Sequence, residues 1–142
     1  KAQWDREATR NFCECAATQV RLGNRPTQAL TTAGYKGLIV DFNAKTGRKY
    51  VQKQFKNRWD DMKAIYSAWV FYKNKATGLG WVDAKQTIMA DDDQWVALIV
   101  IHKPIKAFRH GPLDCLNELA IMFEKANVDG LSSLMPGVDN VS

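Results

Sequence analysis

Apolar positions recur along this chain in separate helical stripes. The longest lies between Val51 and Lys73, where Phe55, Trp59, Met62, Tyr66 and Trp69 follow one another at steps of four, three, four and three. That spacing puts the five side chains on one side of a single helix. Lys53, Lys56, Asn57 and Asp60 fall on the opposite side. One face can therefore be buried while the other presents basic and amide groups to a partner.

An earlier stripe of Trp4, Ala8, Phe12, Cys15, Ala16 and Gln19/Val20 predicts a helix over Trp4–Leu22, with Arg6, Glu7, Arg10, Asn11 and Glu14 outward. Gly23-Asn24-Arg25-Pro26 stops it, because Gly accepts a left-handed cap and Pro cannot carry a helix on. Thr31 or Thr32 can cap the next helix, in which Tyr35, Leu38, Ile39 and Phe42 sit at i, i+3, i+4 and i+7. Gly34 and Gly37 lower its intrinsic stability, so it must lean on tertiary packing. Thr46-Gly47 ends it. Three helices on short connectors, the third amphipathic and basic, outline a helix-turn-helix module or an ordinary three-helix bundle.

Beyond Lys73, Asn74–Gln86 reads as a loop pinned by Trp81. Asp91-Asp92-Asp93 suits the positive end of a helix. The continuous apolar run Trp95–Ile101 fits a buried helix or a short buried strand equally well. His102–Pro112 reads as a basic loop with Lys103, Lys106 and Arg109. Leu113, Leu116, Leu119, Ala120 and Phe123 return to helical spacing before Asp129-Gly130, and Leu131–Ser142 is expected to be a frayed tail. A helix apolar nearly all round is hard to bury on every side. Val96, Val100 and Ile101 are therefore a candidate protein interface or homodimer seam, the alternative being a helix clamped beneath Leu113–Phe123.

A hydrophobic content of 46% and five Trp in 142 residues fit one packed globule rather than a disordered segment. Cys13, Cys15 and Cys115 are an odd count in a chain too large to need staples, so we expect reduced thiols in an intracellular compartment. No secretory leader or membrane-length apolar run is visible. The start at Lys1, without Met, suggests a piece of a longer protein.

Catalysis is not expected. His102 and His110 share one basic loop, and no Ser or Cys stands in a nucleophile motif. No metal or other cofactor is expected either: Cys13 and Cys15 diverge on a helix, and no pairs stand at zinc-loop spacing. The Asp triplet lacks the pattern of a calcium loop. Gly78-Leu79-Gly80 lacks the rest of a phosphate cradle, and nothing suggests a small-molecule substrate.

Charge changes the picture more. Lys45, Arg48, Lys49, Lys53, Lys56, Arg58 and Lys63 face only Asp60 and Asp61 within residues 45–63, so the local excess equals the net charge of +5 of the whole chain. Lys and Arg can neutralise phosphates and release counterions. Asn57 can pair with adenine, and Lys56 can reach guanine acceptors.

The phrases Gln19-Val20-Arg21-Leu22-Gly23-Asn24-Arg25-Pro26, Lys45-Thr46-Gly47, Lys53-Gln54-Phe55-Lys56-Asn57-Arg58-Trp59-Asp60 and Thr77-Gly78-Leu79-Gly80-Trp81 together resemble the plant Myb/SANT-like domain, a family that includes Myb-like proteins of Harbinger-type transposons. The resemblance covers about residues 4–125. It implies an all-α fold with a Myb-type three-helix core over about residues 4–73, a long third helix, two appended helices over about 91–126 and a tail from 127. It also implies an aromatic core of Trp4, Tyr35 and Trp59, a helix headed by Trp95, and Tyr66 and Trp69 anchoring the appended helices. The implied function is binding of double-stranded DNA in the nucleus, as part of a regulatory or transposon-derived protein. Lys56 and Asn57 then read bases, with Lys53 and Asp60 on the same side. Lys45, Arg48, Lys49 and Lys63 hold phosphates, and Lys53 can reach either. Asp60 departs from the Asn favoured in DNA-reading Myb repeats, and Tyr35 from the more usual Trp. SANT modules share this fold and bind proteins through an acidic third helix; here that helix is basic.

Overall fold

The structure, a computed structural model, describes residues 2–74 and 80–124. Thr77-Gly78-Leu79 and the expected tail lie outside the described residues. The chain forms two compact units, Lys1–Asn57 with the segment from Asn117, and Arg58–Leu116. Five α-helices, one 3-10 helix and a single two-stranded hairpin are found among the described residues. The protein is all-α.

In the first unit, α1 spans Arg6–Arg21. It begins later than the stripe from Trp4 predicts because Asp5 is extended and caps it, its carboxylate accepting from the Ala8 N–H at 2.9 Å. Such a cap satisfies an N–H that has no partner within the helix. The far end turns at Gly23, where φ is +86°. Helix α2 spans Thr32–Thr46, with Thr31 Oγ1 accepting from the Gly34 N–H at 3.0 Å and Gly47 in the left-handed region at the other end. Both boundaries agree with the sequence, since each is written in one local residue type.

Helices α1 and α2 pack together, and Gly37 permits the close approach. A Cβ there would lie 2.4 Å from Nε2 of Gln19. Gln19 is only 6% exposed, and its side-chain oxygen accepts from the Asn24 amide at 2.8 Å. At the other end of the unit, Trp4 meets Phe12, Phe42, Tyr50 and Phe55 at ring-centroid distances of 5.2–5.9 Å. This is the range in which tilted and edge-on ring pairs attract. Phe12, Phe42 and Phe55 are fully buried. Of the aromatic core of Trp4, Tyr35 and Trp59 that the resemblance implies, Tyr35 is buried in this unit and Trp59 is buried in the second. The rings found on Trp4 are the four just named, of which Tyr50 is the one that periodicity gave no reason to include.

Helix α3 spans Gln52–Asn74. Its first turn closes when Gln54 Oε1 accepts from the Val51 N–H at 2.9 Å. Through Phe55 to Asn57 it belongs to the first unit. Helix α5, Leu116–Phe123, supplies the buried Leu119 and Met122. It starts after Leu113, contrary to the spacing, because Cys115 sits at φ +60° and breaks any helical turn before it.

In the second unit, the rest of α3 buries Trp59, Met62, Tyr66 and Trp69, the predicted stripe. Trp81–Val82 and Thr87–Ile88 form an antiparallel hairpin, β1 and β2, with Trp81 opposite Ile88. The loop expected over Asn74–Gln86 is corrected to that extent; two-residue strands are too short for alternation to show. Trp69 meets Trp81 at 6.1 Å, and Trp81 meets Phe108 at 6.4 Å. The buried Thr87 hydroxyl donates to the Phe108 carbonyl. Helix α4, Asp92–Ile101, settles the helix-or-strand alternative. Asp91 caps it, and Gln94 returns the bond in a capping box. The basic loop after His102 is in fact a 3-10 helix, Lys103–Phe108, that buries Ile105 and Phe108. Arg109 pairs with Asp92 at 3.2 Å.

Candidate nucleic-acid interface

The basic segment begins at the end of α2 and continues into α3. Lys45 lies in the last turn of α2, Lys49 in the connector, and Lys53, Lys56 and Asn57 in the first turns of α3; all five are exposed and belong to the first unit. Lys53, Lys56, Asn57 and Asp60 are also exposed on α3, while Phe55 and Trp59 between them are buried. The 3.6-residue period thus separates the two sets as the sequence predicts. Gln54, inside the same phrase, has its amide oxygen committed to the start of the helix.

The connector is held from two sides. Asn43 accepts from the Tyr50 N–H and donates to the Tyr50 carbonyl, both at 3.1 Å. From the other side, the Tyr50 hydroxyl and the Gln3 backbone exchange bonds at 2.8 and 2.9 Å. These contacts fix where Lys49 leaves the chain.

Arg48 is placed differently from the lysines. Its guanidinium pairs with Asp5 at 2.9 Å, donates to the Gln3 carbonyl at 3.0 Å, and has a side chain only 23% exposed. The bond from Arg48, assisted by the Ala8 N–H, holds the Asp5 carboxyl below the usual carboxylate range. Arg48 therefore has an internal partner that sequence reasoning missed; the only signal was the capping character of Asp5. Lys63 is half-buried and Asp60 exposed. Val96, Val100 and Ile101 are 57%, 81% and 82% exposed.

The remaining chemistry is sparse. Burial pushes the Cys15 thiol up, which makes it a poor nucleophile. Among the described residues no three His, Cys, Asp or Glu side chains gather as a metal site requires, and no helix is long and apolar enough to cross a membrane.

Comparison with known proteins agrees with the pattern. Residues 3–98 match the family model described as Myb/SANT-like DNA-binding domain. The "L10-interacting MYB domain-containing protein" of Arabidopsis thaliana is 27% identical over 138 residues, which is 97% of this chain and 30% of that protein. The chain thus spans under a third of the length of this curated relative. No solved structure matches.

Proposed function

Because the chain belongs to the Myb/SANT-like DNA-binding domain family, we propose that it binds double-stranded DNA through the exposed side of α3 and the connector before it. The observation that carries this reading is the exposed set Lys45, Lys49, Lys53, Lys56 and Asn57, gathered in one unit and backed by a fixed connector. Lys56 and Asn57 read base edges in the major groove, with Lys53 and Asp60 beside them. Lys45, Lys49 and Lys63 neutralise phosphates. Arg48 joins them by exchanging Asp5 for a phosphate. The setting is a larger nuclear regulatory or transposon-derived protein.

The test is binding to a selected duplex and to random duplex DNA at several salt concentrations. Asn57→Ala should cost about 1–3 kcal/mol on the preferred site and flatten specificity, whereas Lys49→Ala should weaken all sequences alike and reduce the salt slope by about one. If both variants bind as the parent does in low salt, this face is not the one that meets DNA.

A second reading is supported by α4. Its exposed Val96, Val100 and Ile101 suit a protein contact, and the Arabidopsis relative is named as L10-interacting.

A further inference from the structure

Between Asp93 and Asp114 the chain carries no carboxylate, and Lys103, Lys106 and Arg109 give that stretch a charge of +3. Its residues Lys103–Phe108 form the 3-10 helix. With three residues per turn, side chains three apart stand one above the other. Ile105 and Phe108 make one such ridge, and both are fully buried. Lys103 and Lys106 make another, and both are exposed. A 3-10 run of six residues is uncommonly long. Here Pro104 sits in the first turn, the buried ridge anchors one side, and the Thr87 hydroxyl donates to the Phe108 carbonyl. The two lysines thus leave a backbone held in place. Arg109 follows at the same interval, but Asp92 takes it up at 3.2 Å, so the lysines are the charges the ridge has to offer.

We propose that Lys103 and Lys106 form a second phosphate-binding site for duplex DNA, in the second unit and beyond the residues that match the family model. Charge and spacing support this occupant. The two positions stand about 6 Å apart along the 3-10 axis. Duplex DNA carries one phosphate for about every 1.7 Å of its length, so both lysines meet phosphates whatever the register. A lysine ammonium is a point charge on a flexible stem, without the planar fork that fixes a partner's geometry. The contact is therefore indifferent to sequence. This rests on the reading that the chain meets duplex DNA, but not on which residues of α3 read it.

The test is binding of the whole 142-residue chain to random duplex DNA at salt concentrations from about 50 to 200 mM. The double variant K103Q/K106Q should lower the salt slope by about two and weaken binding at the lowest salt about tenfold. Circular dichroism should show it folded, because both lysines are exposed and the buried ridge is untouched. Lys85→Gln is the control, an exposed lysine in the hairpin turn of the same unit, and it should leave the slope unchanged. In a K49A/K53A/K56A/N57A background, residual low-salt binding should disappear when K103Q/K106Q is added. An unchanged slope and affinity for K103Q/K106Q in both backgrounds overturns the proposal, a ridge reserved for an anionic membrane or an acidic protein included. A slope that Lys85→Gln lowers as much per lysine also overturns it, since net charge alone is then at work. If the four-residue variant of α3 and its connector binds as the parent does while K103Q/K106Q is weakened, the α3 reading falls and the ridge stands. A parent that binds no duplex at the lowest salt overturns both.

Discussion

Substituting Gly37 by Ala puts a methyl group of α2 against the side-chain amide of Gln19 on α1. The added carbon would lie 2.4, 2.7 and 2.8 Å from Nε2, Cδ and Oε1 of Gln19. These are distances that real contacts do not reach, so the Gln19 amide must move. Moving it forfeits the 2.8 Å bond to the Asn24 amide in a place where Gln19 is 6% exposed. A lost hydrogen bond costs about 1 kcal/mol, and a polar group left unsatisfied in a buried place about 1–3 kcal/mol. Against that, Ala in place of Gly inside a helix returns about 1 kcal/mol. The expected net loss is about 1–3 kcal/mol. With a urea slope of about 2 kcal/mol/M, the unfolding midpoint followed by circular dichroism should fall by roughly 0.5–1.5 M. The control is the same substitution in a Gln19→Ala background, where the obstacle is gone and Gly37→Ala should stabilise by up to about 1 kcal/mol. If Gly37→Ala stabilises the parent, or costs the same in both backgrounds, the Gln19 contact is not what requires the glycine.

Asp5 has a folded pKa below its ordinary value of 3.8. Its contribution to stability is thus present above that value and lost as pH falls through the folded one. Asp5→Asn keeps the acceptor for Ala8 but not the ion pair, so its melting temperature should drop less than the parent's between pH 5 and about pH 2. Thr87→Val leaves the Phe108 carbonyl without its buried donor and should cost about 1–3 kcal/mol in chemical denaturation. Asp91→Ala opens the capping box of α4 and should cost about 1 kcal/mol in the same assay. Asp60→Asn removes an exposed carboxylate from the side of α3 proposed to meet DNA, and random duplex DNA should be bound severalfold more tightly at low salt.

What could be read from the chain depended on how local its cause was. Thr31, Gly23 and Gly47 mark helix ends within a few residues, and the structure puts the boundaries there. The stripe from Phe55 to Trp69 is likewise periodic and buried. The resemblance of the Lys56-Asn57-Arg58-Trp59 phrase led to the family. Arg48 was legible only as a basic residue, because its partner Asp5 stands 43 positions away. The left-handed Cys115 has no residue signature, since Cys does not ordinarily take that conformation. In Trp95–Ile101 every position is apolar, so no period existed to show that Val100 faces out and Trp95 in. Only the packing of the second unit decides it.

The amide of Asn43, bonded to both backbone groups of Tyr50, has a consequence for chain length. It acts as one rung of a ladder between the last turn of α2 and the connector two residues before α3, and it fixes the number of residues in between. One residue inserted among Gly47, Arg48 and Lys49 would carry Tyr50 out of register, breaking both bonds and pulling its ring from Trp4 and Phe42. The exposed turn at Asp83–Lys85 has no such measure imposed on it. A short tag or a natural insertion belongs in that turn, and the connector is where the chain can least afford to grow.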